Sequence, residues 1–309
     1  MNVETRAVST TAQLADLHAL YSSQLLECPY EYEVAEDSFR DAICQPVDGL
    51  SDQLLLVAME STQAVAFVHI GKGAADDGAD VVGLIRSLIL PRGNRGHDAG
   101  QALLDAAHEH FIGAGLRSCH IAGRYMYPCT RTGQVRSTWE HICSLLEEND
   151  YRRVPGAGWW DVMAWSDMDL SEPTLGIPEM QVKIGGAPLF PDEPSHGSAP
   201  RVTVRVLCSS EEVGGTEADI WHVPYWHTNA QDACATMGLG VSENERRRGI
   251  GRYLMERSLF EMRKAGCKHA LLGVLESNEP AKALYQSMGY KTIYSGGDMY
   301  RDLSGHVSA

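Results

Sequence analysis

The chain has 309 residues, 44% apolar and 22% charged, and a formal net charge of −15. That length exceeds one typical domain and that mixture is ordinary for a globular protein, so two domains with separate cores are expected. The acidic balance opposes nonspecific binding to nucleic acid or anionic lipid and favours a cationic small partner. No basic and then apolar leader opens the sequence, and nowhere do eighteen or so apolar residues run together, so no membrane association is expected and the location expected is cytoplasmic. Eight cysteines lie scattered without a C-x-x-C pair or a Cys/His cluster at ligand spacing, which leads to expectations of reduced thiols and no metal.

In chain order, a helix is predicted over Ala12 to Leu26, then a hairpin from "LLLVAME" and "AVAFVHI" about "STQ". "VVGLIRSLIL" reads as a strand, Ala99 to Ala114 as a helix, "RSCHIAG" as a strand, Ser137 to Glu148 as a helix and "WWDVMAWSDM" as a strand. From Ser171 to Pro200 prolines and glycines interrupt every period except in "MQVKI", which marks a linker carrying one strand. Beyond it come a second hairpin ("RVTVRVLCS", "TEADIWHV"), the strand "ACATMGLGV", a helix over Gly249 to Ala265, the strand "HALLGVL", a helix over Ala281 to Met288 and closing strands in "YKTIYSGGDMYRDL".

The order of elements repeats. A shift of 151 places Arg95 on Arg246, Gly100 on Gly251, Leu103 on Leu254 and Gly115 on Gly266. Later the shift is 139, where "NDYRRV" meets "MGYKTI", so the first half has twelve additional residues in or near "RYMYPCTRTGQV". The expected class is α/β with two related domains, each a mixed, mostly antiparallel sheet flanked by helices. The boundaries expected are 1–170, a linker with the second domain's first strand over 171–200, and 201–309.

Between strand "ATMGLGV" and its following helix lies "SENERRRGIGRY", where glycines and arginines meet backbone N–H groups without intrahelical partners. Such a helix start binds anions, because the peptide dipoles add positive charge and glycines admit phosphate oxygens to the amides. No G-K-S/T follows, which excludes a Walker phosphate loop.

Here the residues resemble the GNAT N-acetyltransferase superfamily, whose signature Gln/Arg-x-x-Gly-x-Gly/Ala is matched by Arg246, Gly249 and Gly251. A later family pattern is met by "NEPAKALYQSMGY", with Asn278, Ala281, Leu284, Tyr285, Gly289 and Tyr290 in place. The match is good from Arg201 to about Leu303 and holds for the first half only in outline. The resemblance implies that Arg246, Arg247, Arg248, Gly249, Ile250, Gly251 and Arg252 hold the diphosphate of coenzyme A. It implies that the pantetheine runs along Leu239, Gly240 and Val241, the amide near Val241 polarising the thioester carbonyl. It implies that Tyr285 is the general acid protonating the departing thiolate, and that Asn278 contacts the coenzyme, a position that also suits a helix cap. By strict strand alternation Gly238 and Gly240 are expected on the side of Cys234 and Thr236, leaving room for the acyl arm.

Two departures stand out. "ATMGLGV" lacks the glutamate many family members carry there, which leaves Glu276, Asp232, His222 and His227 as candidate bases. In the first half Asp98 stands at the Gly249 position and Leu146 at that of Tyr285, so that half is expected to be degenerate. "IWHVPYWH" places Trp221, Tyr225 and Trp226 as an aromatic wall for a cationic amine, a small molecule or peptide. The function the resemblance implies is direct transfer of an acyl group, expected to be acetyl, from acyl-coenzyme A to a primary amine; the alternative is an acyl-coenzyme A binding or regulatory module without turnover. Nucleic-acid binding conflicts with the net charge and lacks interleaved aromatics.

Overall fold

The computed structural model describes residues 2–6, 14–29, 34–74, 80–121, 135–155, 158–186, 201–220 and 233–306. The first elements are β1 (Asn2–Arg6), α1 (Leu14–Leu25), α2 (Glu36–Cys44), β2 (Leu50–Glu60), β3 (Gln63–Ala74), β4 (Val81–Ile89), α3 (Asn94–Gly113) and β5 (Ser118–Ile121). Next come β6 (Val135–Arg136), α4 (Glu140–Glu148), β7 (Arg152–Arg153), β8 (Trp160–Trp165), β9 (Met180–Gly185), β10 (Arg201–Cys208) and β11 (Glu211–Ile220). The last are β12 (Ala233–Val241), α5 (Ile250–Lys264), β13 (His269–Leu275), α6 (Glu279–Met288), β14 (Lys291–Gly297) and β15 (Met299–Asp302). Strands β12 and β13 fall on the segments expected, whereas β1 and α2 lie where no element is expected, although α2 buries Phe39, Ala42 and Ile43 at helical spacing.

Two compact units divide the chain. Unit 1 comprises Met1–Trp160 and Tyr294–Ala309, and unit 2 comprises Asp161–Ile293. The units are therefore not consecutive halves: the closing strand β15 counts with unit 1, and nearly all of β8 with unit 2.

In unit 1 the strand order is β1-β2-β3-β4-β5-β15-β7, mixed because β4 and β5 run parallel while the other mapped pairs are antiparallel. Helix α3 buries Leu103, Leu104, Ala107 and Phe111, and Phe111 packs so closely on β4 that a Cβ at Gly83 would lie 2.7 Å from its ring. In unit 2 the order is β8-β13-β12-β11-β10-β9, again with one mapped parallel pair, β12 with β13. The buried stripe of α5 (Ile250, Leu254, Met255, Leu259, Met262) meets Val202, Val204 and Val206 of β10 and Ala270, Leu272 and Val274 of β13. Each such fully buried side chain contributes roughly 1.5–3 kcal/mol. This core holds the carboxyl end of β12 against the start of α5, which sets the geometry of the candidate site.

Helix α3 starts at Asn94, earlier than the predicted Ala99. Gly93 takes a positive φ of 86° and its carbonyl accepts from the amides of Gly96 and His97, winding the glycine-rich stretch into the first turn. Only glycine fits at 96, where a Cβ would lie 1.6 Å from the Pro91 carbonyl oxygen.

Candidate functional site

The site is built on β12, and its chief feature is a β-bulge. Ala218 faces Thr236 and Glu217 faces Gly238, so Met237 has no residue opposite it and is 49% exposed. One extra residue reverses the parity of the strand beyond it. Gly238 and Gly240 therefore lie on the face opposite Cys234 and Thr236, correcting the expectation from strict alternation, while Leu239 and Val241 turn inward onto the core. Nothing described lies within 4 Å of a Cβ built on either glycine.

The same region loses its second neighbour. Parallel pairing with β13 covers Ala233 to Thr236 and ends there. Ser242 donates its amide to the Val213 carbonyl of β11 at 2.8 Å. By alternation the amides of Leu239 and Val241 point the other way, to the edge that β13 leaves. Arg246 Nε donates to the Val241 carbonyl on that edge at 3.1 Å.

The turn into α5 is held open by two left-handed residues, Arg247 (φ 63°) and Gly249 (φ 85°). Gly249 caps the helix and has no side chain to accept from the first amides of α5. Buried Ile250 anchors the helix start. Of the four candidate arginines, Arg248 bridges Glu245 (2.5 Å) and Glu179, and Arg252 bridges Glu256 (3.3 Å) and the Ser287 hydroxyl (2.5 Å). Arg246 and Arg247 are exposed and make no ion pair among the described residues.

Helix α6 closes the site. A Cβ at Gly251 would sit 3.8 Å from both Leu284 and Val241, so α5, α6 and the end of β12 converge there. Asn278 is the N-cap of α6, its Oδ1 accepting from the Ala281 amide at 3.3 Å. Tyr285 is 8% exposed, its ring centroid 5.9 Å from that of Tyr290, and burial pushes its phenol above the ordinary value of 10. Glu276 is half-buried in the turn between β13 and α6, where its carbonyl accepts from Lys282 Nζ at 3.1 Å. Asp232, His222, His227, Trp221, Tyr225 and Trp226 lie outside the described residues.

Glu217 carries no signal of a site role in the sequence, because only the register of β11 reveals it. It stands opposite Gly238 on the face where the glycines open, its carboxylate held by Arg205 Nη2 at 2.8 Å and Arg201 Nη1 at 3.2 Å. Among the described residues no group of three or more His, Cys, Asp or Glu is placed to hold a metal ion, and no helix is long and apolar enough to cross a membrane.

Residues 139–290 match the family model for the acetyltransferase (GNAT) family. The chain contains a GNAT domain. No curated protein matches it, but solved structures share its fold across nearly the whole length. A tandem GNAT protein from the clavulanic acid biosynthesis pathway is 12% identical with a TM-score of 0.65, over 98% of this chain and 99% of that one. A GCN5-related glucosamine N-acetyltransferase region of a fungal multi-domain β-N-acetylglucosaminidase is 15% identical with a TM-score of 0.61, over 97% of this chain and 38% of that one. A GCN5-related N-acetyltransferase from Sphaerobacter thermophilus is 16% identical with a TM-score of 0.57, over 97% and 96%. At these identities the likeness is one of fold, a tandem GNAT arrangement, and family and fold together support an acyl-transfer function.

The two units share the bulge and differ in the residues that occupy it and in the turn that follows. Unit 1 has the corresponding bulge, where Ile85 faces Ile70 and Ser87 faces His69, but the bulged residue is Arg86. It is 2% exposed, its Nη1 donating to the Ala42 carbonyl (3.2 Å) and Gln53 Oε1 (3.0 Å) and lying 3.2 Å from His69 Nδ1. Ser87 and Ile89, both buried, stand where unit 2 has Gly238 and Gly240. The open turn is missing as well, because the counterpart residues are wound into α3, and Asp98 projects from the helix into solvent.

Proposed function

We propose that unit 2 is an acyl-coenzyme A dependent N-acyltransferase, using acetyl-coenzyme A and transferring the acyl group directly to a primary amine. The observation that carries this reading is the bulge of β12: it turns two glycines toward space that no described residue fills, on a strand whose Leu239 and Val241 amides face the edge that β13 leaves, beside a helix start capped by a glycine. The residues fit the coenzyme in kind. The amides from Arg247 to Arg252, with the charges of Arg246 and Arg247, suit a diphosphate. Arg248 and Arg252, tied to carboxylates, serve chiefly to hold the turn, and Asn278 serves the helix cap.

The coenzyme thioester, when bound, supplies the acyl group. The Leu239 and Val241 amides face the strand edge and meet negative charge as it builds on the carbonyl oxygen. The acceptor nitrogen forms its bond to the carbonyl carbon as the carbon–sulfur bond breaks. Tyr285, kept protonated by its burial, gives its proton to the thiolate and recovers one from the proton the nitrogen loses. Glu217 is the carboxylate that register sets beside the glycine space, and it orients the amine; Glu276 stands second.

The absence of any acid on β12 favours one other reading, a unit that binds acyl-coenzyme A without turning it over. Release of free thiol from acetyl-coenzyme A with a panel of polyamines, aminoglycosides, amino acids and peptides separates the two. Amine-dependent release supports transfer; stoichiometric binding with no release from any member supports the binding module.

A further inference from the structure

Thr216 lies in the middle of β11 with no exposed surface, and its hydroxyl donates to the Gly238 carbonyl at 2.6 Å. In register it stands opposite Leu239, one residue past the bulged segment. A peptide group is planar and trans, so its carbonyl and its N–H point in opposite directions. The carbonyl of Gly238 reaches toward β11 to meet Thr216, and the N–H of the same peptide, that of Leu239, is thereby aimed at the edge β13 has left. Ladder hydrogen bonds set such planes in the middle of a sheet. Here, among the described residues, the plane has a strand partner on one side only, and the threonine adds a hydrogen bond on that side. A hydrogen bond accepted by a carbonyl also polarises the N–H beyond it, making it a stronger donor.

Unit 1 supplies the contrast. Leu88 occupies the place of Leu239 beside the Arg86 bulge, and the residue paired with it is Val68. Valine has the shape of threonine and no hydroxyl. The hydrogen bond is thus present in the unit whose bulge is open and missing in the unit whose bulge is filled by a buried arginine, although both positions are equally buried.

We propose that Thr216 is a positioning residue for acyl transfer: its hydroxyl fixes and strengthens the Leu239 amide that contacts the thioester carbonyl oxygen. This rests on the acyltransferase reading of unit 2.

The test is isotope-edited infrared spectroscopy of bound acetyl-coenzyme A labelled with ¹³C at the acetyl carbonyl, alongside steady-state kinetics with the best amine of the panel. In the wild type the thioester carbonyl band should shift to lower frequency on binding. Thr216→Val should lose a large part of that shift and about tenfold in kcat, with coenzyme A affinity and melting temperature little changed, and Thr216→Ser should restore both. If the valine variant fails to fold, Thr216→Cys, a weaker donor of similar size, takes its place with the same expected direction. A band and a kcat unchanged in a folded variant without the hydroxyl would overturn the proposal while leaving the acyltransferase reading intact. A wild type that binds acetyl-coenzyme A with no band shift and no amine-dependent thiol release would overturn both.

Discussion

Tyr285 owes its proposed role to being buried without being sealed. Burial raises its phenol above the ordinary value, so the hydroxyl stays protonated and the basic limb of a kcat profile that depends on it should fall only above pH 10. Tyr285→Phe keeps the ring against Tyr290 and removes the proton; turnover should drop by roughly 10² if proton donation limits it, with coenzyme A affinity unchanged by calorimetry. Equal loss of both would make it a packing residue. His69 in unit 1 makes a different prediction. Burial, and then the Arg86 charge, depress it from 6.5 to about 3. Between those values the unfolded chain takes up a proton that the folded unit does not, so stability is level above pH 6.5 and falls as pH drops toward 3. The loss at the acid end is on the order of 5 kcal/mol at 1.36 kcal/mol for each pKa unit. His69→Gln should flatten the acid dependence of unit 1 melting, and an unchanged slope would assign it to the carboxylates.

At the scale of elements, β12 and the turn into α5 do most to set unit 2 apart from unit 1. Gly240→Ile copies Ile89 into a strand position where an added Cβ meets nothing described. The variant should fold with an unchanged melting temperature and lose at least 10² in kcat/KM for the acyl donor, about 2.7 kcal/mol of transition-state stabilisation. A fully active variant would show that the glycine face is not where the acyl group lies. In the turn, Gly249→Asp forces a side chain onto a backbone at φ 85° and sets a negative charge beside the helix start. Coenzyme A affinity should fall tenfold or more, about 1.4 kcal/mol. Arg247→Gly relieves a left-handed residue while removing a charge. It should weaken binding without lowering stability, and a loss of stability would mean that the arginine holds the turn.

At the scale of the whole molecule, the chain returns to its first unit at the end. β15 lies between β5 and β7, Arg301 Nη1 contacts His108 Nδ1 at 2.9 Å, and Leu303 is fully buried with its amide on the Arg117 carbonyl at 2.7 Å. A chain stopped after Ile293 keeps all of unit 2 and should lose protection against hydrogen exchange in β5 and α3, far from the missing residues in sequence. Retained protection there would mean that unit 1 folds without its last strand. One coenzyme A per full-length chain is expected by calorimetry, because unit 1 has neither the open turn nor the glycine face.

Much of this was legible in one dimension, for a physical reason in each case. Hydrophobic period and glycine position are local, so the internal repeat, most of the helices, the strand "ACATMGLGV", the turn at Arg246 to Gly251 and the cap at Asn278 could be read directly. Relations across strands were not. No local signal marks Met237 as a bulged residue, since a bulge depends on how many residues face it on β11, and that one residue reverses which way every later side chain points. Glu217 and Thr216 gain their meaning only from the register that sets them opposite Gly238 and Leu239. In unit 1 the counterpart of the turn has glycines too, yet Gly96 serves close packing on Pro91, and only the path of the backbone separates a wound helix start from an open one. The return of β15 to the first unit follows from which sheet edge offers its hydrogen-bonding groups a partner, and the order of elements along the chain carries no record of that choice.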